Sequence, residues 1–177
     1  MVLPRAGNLG GGGFMLVYSE ELKKTIAMIT ERWLHFRLQE TCFLIRREIT
    51  TKKSSIFFAS AGVPGTVAGL YYALNKYGTL SWGEILDPAI KLAEDGFVVP
   101  HDLSSVLRNY KKRLTANEAT AKAYYKANKE TYSAGEVIKL PDLAWSLKEL
   151  KKVGPDAFYK GKIAKKDSPL KGNLRGV

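Results

Sequence analysis

The chain has 177 residues, 45% of them hydrophobic and 25% charged, which is the balance of a globular protein and excludes wholesale disorder. A single cysteine, Cys42, excludes an intramolecular disulfide framework and any cysteine-rich zinc site, and two histidines, His35 and His101, argue against a His-based metal site. The net charge of +11 is concentrated at the ends: residues 1–60 carry 9 Lys+Arg against 5 Asp+Glu (+4), residues 61–150 carry 11 against 10 (+1), and residues 151–177 carry 8 against 2 (+6). No aromatic stacking motif or zinc knuckle accompanies those basic ends. They read as solvated Lys-rich segments, and no nucleic-acid partner is expected. No apolar run approaches the roughly 20 residues of a membrane span. Glycines stand where the apolar core of a signal peptide would be.

Gly10-Gly11-Gly12-Gly13 leads into Phe14-Met15-Leu16-Val17-Tyr18, an apolar run that predicts a buried strand. Ser19 to Lys24 predicts a turn, and Thr25-Ile26-Ala27-Met28-Ile29 the returning strand of a hairpin. Residues 30–53 have no clean period of 2 or 3.6 and no Gly or Pro to punctuate them. From Ala61 onward, caps and stripes agree. Pro64 predicts a helix start, with Val67, Leu70, Tyr71, Leu74 and Tyr77 on one face and Gly78 as its stop. Ser81 and Glu84 have capping-box spacing, ahead of a stripe of Ile85, Leu86, Ala89, Leu92 and Ala93 that Gly96 ends. Asp102 is the expected cap of a third helix, with Leu103, Val106, Leu107 and Tyr110 inward. Thr115 and Glu118 suggest a second capping box, opening a helix to about residue 127. Pro141 starts a fifth helix through Leu143, Leu147 and Leu150 to Gly154. One more helical turn is expected over Pro155–Tyr159, and residues 165–177 lack periodicity and read as a frayed basic tail.

Chemistry motifs are sparse. There is no Gly-x-Ser-x-Gly elbow and no Gly-x-x-x-x-Gly-Lys phosphate loop. Cys42 and His35 share an irregular segment without a motif around them. The four glycines could bring backbone amides to an anion or serve as a linker. Gly65 and Gly69, four apart on a helix, suggest close packing. The carboxylate pair Glu94-Asp95 precedes a helix stop and reads as solvent-facing.

Several ordered segments nevertheless resemble the γ-glutamyltranspeptidases, or glutathione hydrolases. Residues 7–18 resemble that family's glycine-rich entry strand. Ala61-Gly62-Val63-Pro64-Gly65-Thr66-Val67-Ala68-Gly69-Leu70 is similar to its next signature. Tyr77–Leu80, Asp87–Phe97, Leu140–Ala144 and Gly154–Gly161 follow in family order. The resemblance implies an α+β fold: part of an αββα N-terminal-nucleophile hydrolase sandwich, mostly helical here, with a short N-terminal hairpin. It implies a precursor that cuts itself into two subunits. The new N-terminal Thr of the small subunit attacks a γ-glutamyl amide, its own α-amine acting as base. No cofactor or metal is implied. By this resemblance residues 1–164 are part of the large subunit, the small subunit is the missing partner, and a γ-glutamyl compound is the substrate of the intact enzyme. No residue of this chain then receives a catalytic role. Gly10, Gly11, Gly12 and Gly13 are expected to form a structural loop.

One family feature is out of place. After Thr25-Ile26-Ala27 the family carries an Asp-Tyr-Arg-Glu-Met-Ala-Pro-like stretch, whose Arg takes the substrate α-carboxylate by two parallel hydrogen bonds. Here Met28-Ile29-Thr30-Glu31-Arg32-Trp33-Leu34-His35 stands instead, with Arg32 one position from the expected arginine. Back-translated and read one base out of phase, this segment contains Asp-Tyr-Arg-Glu-Met-Ala-Pro and continues in family-like composition through Glu48-Ile49. The expectation is a one-base loss near Met28 and a compensating gain near residues 49–53, so that residues 30–53 are out of frame. The other reading is a small basic helical binding protein without enzymatic activity.

Overall fold

The computed structural model describes residues 6–21, 23–30 and 64–166. The chain divides into two compact units, Arg5–Thr79 and Leu80–Val177, the latter with Met1–Pro4. The fold is α+β and mostly helical behind a short N-terminal hairpin, as the sequence predicts.

In the first unit, β1 (Phe14–Ser19) and β2 (Lys24–Ile29) pair antiparallel, Phe14 opposite Ile29 and Ser19 opposite Lys24. The turn is closed by Lys23 in the left-handed region (φ 48°) and by an ion pair from Lys23 to Glu20. Period-2 alternation puts Phe14, Leu16, Tyr18, Ala27 and Ile29 on one face. The hairpin is where the sequence predicts it, but its expected burial is not found. Phe14 is 75% exposed, Leu16 74% and Ile29 71%. The opposite face, with Met15, Val17, Ile26 and Met28, is half-buried. A two-stranded ribbon is a single layer and can bury a face only under a second one.

Helix α1 (Thr66–Tyr77) closes this unit. It begins after Gly65 rather than at Pro64. Of its predicted inward stripe Val67 is buried and Tyr71, Leu74 and Tyr77 are half-buried, while Leu70 is exposed. Gly78 stops the helix, its N–H donating to the Leu74 carbonyl.

The second unit is organised around an antiparallel pair, α2 (Trp82–Asp95) and α6 (Pro141–Val153). The predicted capping box opens α2: Glu84 N–H donates to Ser81 Oγ (3.3 Å) and Ser81 N–H to Glu84 Oε2 (2.8 Å). Leu86, Ile90 and Ala93 are the buried stripe of α2, and Ala144, Leu147 and Leu150 that of α6. Burying each large side chain is worth roughly 1.5–3 kcal/mol. Trp82 Nε1 donates to the Leu150 carbonyl (2.9 Å), and Lys151–Asp87 and Lys148–Glu94 pair along the exposed side at 2.5 Å each.

Between these helices the chain makes features that are too short to leave a period. A two-residue ladder joins β3 (Phe97–Val98) to β4 (Val137–Ile138). Helix α3 (His101–Asn109) starts behind Pro100, so Asp102 lies inside its first turn and is not its cap. There the carboxylate still favours the positive end of the helix dipole. Leu103 and Leu107 are buried as expected, but Tyr110, the C-cap residue, is 54% exposed. After the single turn α4 (Lys111–Leu114), α5 (Glu118–Tyr124) is capped by Asn117, whose Oδ1 accepts from Thr120 N–H (2.9 Å). Thr115 was the expected cap. Its hydroxyl is already committed to the Lys111 carbonyl (2.8 Å) of the preceding turn. Tyr125 Oη donates to the Leu107 carbonyl (2.7 Å) and Ser104 Oγ to the Tyr132 carbonyl (2.9 Å), anchoring the connection to β4. The expected turn after Pro155 is α7 (Asp156–Tyr159). A further helix, α8 (Lys162–Lys166), takes in the first two residues of the expected tail; the rest lies outside the described residues.

Candidate functional site

The residue singled out for substrate binding, Arg32, lies outside the described residues, as do His35 and Cys42. What the structure does describe is the frame from which that segment departs. Thr30 is the last described residue before it, and three interactions hold Thr30. Its N–H donates to the Gly13 carbonyl (2.7 Å), its carbonyl accepts from Gly13 N–H (3.1 Å), and its Oγ1 donates to the same Gly13 carbonyl (3.0 Å). The Thr30 side chain also sits against Gly69 of α1, so closely that a Cβ there would overlap Thr30 Cγ2. Gly69 therefore provides close packing, as its spacing from Gly65 suggests, but of a helix on a strand end rather than on a second helix.

The glycine run forms the other wall of this frame. Gly11 N–H donates to the Asn8 carbonyl (3.1 Å), and the Gly11 carbonyl accepts from Gly65 N–H (2.9 Å) and Thr66 N–H (3.1 Å). Those are amides of the α1 start, groups that a helix cannot satisfy internally. Gly11 thus presents an oxygen to the helix start, and the Gly11 and Gly13 amides are both used within the chain. Gly10 and Gly12 lie beside them in the same run. A backbone carbonyl taking two amides needs close approach of two main chains, which residues without side chains permit.

The remaining singled-out groups are structural or peripheral. Glu94 is engaged by Lys148, and His101 is an exposed first residue of α3. Among the described residues no group of His, Cys, Asp and Glu side chains could hold a metal ion, and no buried side-chain polar atom lacks a partner. No described helix is long and apolar enough to cross a membrane.

Two carboxylates are held below their ordinary value of 4.5. Glu84 is lowered mainly by its hydrogen bond with Ser81, and Glu136 mainly by Lys126, whose Nζ lies 2.7 Å away. Both serve local structure: one caps α2 and the other closes the 126–136 loop. The Asn117 cap and the β3–β4 ladder were missed in the sequence. An Asn with Thr three residues on was a usable signal for the cap, whereas two-residue strands leave none.

Comparison with known proteins matches this frame and these helices to one family. The profile described as Gamma-glutamyltranspeptidase matches residues 1–166. The chain is 38% identical over 161 residues to the glutathione hydrolase proenzyme of Escherichia coli K12, covering 91% of this chain and 28% of that protein. It is 35% identical over 169 residues to the glutathione hydrolase proenzyme of Bacillus subtilis, covering 92% of this chain and 28% of that one. Among solved structures, Helicobacter pylori γ-glutamyltranspeptidase superposes with a TM-score of 0.85 at 33% identity, over 93% of this chain and 47% of that one. The chain thus spans about a quarter of the curated relatives' length. With its glycine-braced hairpin and its helices in the family's order, it belongs to the γ-glutamyltranspeptidases, a family of N-terminal-nucleophile hydrolases.

Proposed function

We propose that the chain is part of the large subunit of a γ-glutamyltranspeptidase that acts on glutathione and other γ-glutamyl amides, and that the chain alone is inactive. The observation that carries this reading is the uncovered face of the hairpin. Phe14, Leu16, Tyr18 and Ile29 form an apolar face of a kind that soluble proteins rarely leave in water. In a layered sandwich such a face is covered by a second sheet, here supplied by the rest of the precursor. The reaction follows from the family chemistry. The N-terminal Thr of the small subunit forms a γ-glutamyl ester and releases the amine, and water or an acceptor amine then takes the γ-glutamyl group. The large subunit's part is to hold the substrate α-carboxylate through an arginine just beyond the end of β2. Arg32 stands one position from the expected arginine, and residues 30–53 are best read as out of frame.

Assay of γ-glutamyl-p-nitroanilide turnover tests this. The purified chain should give no rate above a buffer blank. Co-expression of the remaining precursor with the in-phase Asp-Tyr-Arg segment restored should give turnover, and without the restoration it should not. Turnover by the chain alone that survives repurification would overturn the reading.

A further inference from the structure

The second unit carries a feature that neither the core nor the γ-glutamyl chemistry uses. Residues 108–113, Arg-Asn-Tyr-Lys-Lys-Arg, are six consecutive exposed positions. They run along a nearly continuous helical path. Tyr110 N–H donates to the Val106 carbonyl (3.0 Å), Leu114 N–H to the Tyr110 carbonyl (2.9 Å), and Thr115 N–H to the Lys111 carbonyl (2.9 Å). Successive helical residues step about 100°, so six exposed in a row means exposure on every side. This helix end therefore stands out from the unit that carries it. Buried Leu107, whose carbonyl accepts from Tyr125 Oη, fixes its base.

Its charge is uncompensated. The ion pairs between described residues of this unit use Lys126, Lys148, Lys151, Lys160 and Lys162. Among the described residues no acidic side chain pairs with Arg108, Lys111, Lys112 or Arg113. A helix C-terminus tolerates cations because of its dipole, but that benefit is confined to the last turn and is small. Four cations surrounding a tyrosine that is 54% exposed exceed it. A small anion would need donors converging on a point, which this projection lacks, and Tyr110 stands alone among the cations rather than in the row of aromatics on which single-stranded nucleic acid stacks. Cations spread around an amphipathic aromatic suit a broad sheet of negative charge with an apolar layer beneath it.

We infer that Arg108, Lys111, Lys112 and Arg113, with Tyr110 between them, form a peripheral docking surface for a bilayer that contains anionic phospholipid. Flotation of the full chain with vesicles tests this, because lipid-free aggregates do not float. The chain should float with phosphatidylglycerol–phosphatidylcholine vesicles but not with phosphatidylcholine alone, and salt should release it. Replacing all four cations (R108Q, K111Q, K112Q, R113Q) should lower the bound fraction at least tenfold with an unchanged far-UV spectrum. Removing equal charge elsewhere (K91Q, K129Q, K139Q, K152Q) should leave most of it. In chain that carries C42S and Y110C, acrylodan on the new thiol should shift to the blue with anionic vesicles only. Equal loss in the two quadruple variants, an unshifted dye, flotation with neutral vesicles, or retention on duplex DNA without vesicle binding would each overturn the proposal.

Discussion

The two units of this chain treat their apolar side chains differently. The helical unit buries Val99, Ile138, Leu147 and Leu150 to 3% exposure or less, and α2 and α6 close directly on each other. In the hairpin unit only Val67 and Ala73 are buried hydrophobics among the described residues, while Phe14, Leu16, Tyr18 and Ile29 face outward. Both units have locally consistent sequence, with good turns, good caps and the right periods. Local consistency forms elements, and whether they become a stable domain depends on having a second layer. The helical unit buries its α2 and α6 stripes on each other, whereas the hairpin unit leaves Phe14, Leu16, Tyr18 and Ile29 exposed.

The largest expected effect separates the two kinds of apolar residue. Leu150→Ala, fully buried in the last turn of α6 against the start of α2, should cost about 2–5 kcal/mol, read as a lower urea midpoint with unchanged slope. Leu16→Lys on the hairpin face should cost little and should raise solubility and reduce binding of an apolar dye. Equal destabilisation by both would mean that the hairpin face is already covered in the chain alone.

Gly96 and Gly69 sharpen the same contrast. Gly96 has φ +96°, and a Cβ on it would lie 2.6 Å from Val137 Cγ1 and 2.9 Å from the Ile138 carbonyl oxygen. Gly96→Ala should cost about 1–3 kcal/mol and loosen the β3–β4 ladder, visible in urea unfolding. Gly69→Ala pushes on Thr30 instead. It should leave the unfolding free energy of the helical unit within about 0.5 kcal/mol while disturbing only the hairpin amide signals.

The smallest effect is at the start of α2. Ser81→Ala should cost about 1 kcal/mol at neutral pH. Glu84 is lowered by its bond with Ser81, so its contribution is present above the ordinary 4.5 and is lost as the pH falls through the lowered value. Thermal unfolding across that range should show an acid-side loss that is smaller in Ser81→Ala, because the variant removes the main cause of the shift.

The sequence was most informative where a feature has a period or a punctuating residue. The hairpin, the Ser81–Glu84 box, and the run from Pro141 to Gly154 were legible because alternation, cap chemistry and Pro/Gly placement are all local. The exposure of Phe14 and Leu16 was not, since an apolar alternating strand reads alike whether its covering layer is present or not. Thr115 was mistaken for a cap because its hydroxyl had a competing acceptor one turn back, and a competitor four residues away leaves no mark in a spacing rule. At the candidate site the double use of the Gly11 carbonyl was not legible, because it joins residues more than fifty positions apart. Arg32 rests on the family pattern alone, since its neighbours have no period and it lies outside the described residues.

Hydrogen–deuterium exchange on the full chain, alone and co-expressed with the remaining precursor, tests the central claim most directly. Alone, amides of α2 and α6 should be protected and those of β1 and β2 should exchange rapidly; with the rest of the precursor, β1 and β2 should become as protected as α6. Equal protection of the hairpin in the chain alone, or no gain when the precursor is supplied, would contradict the account.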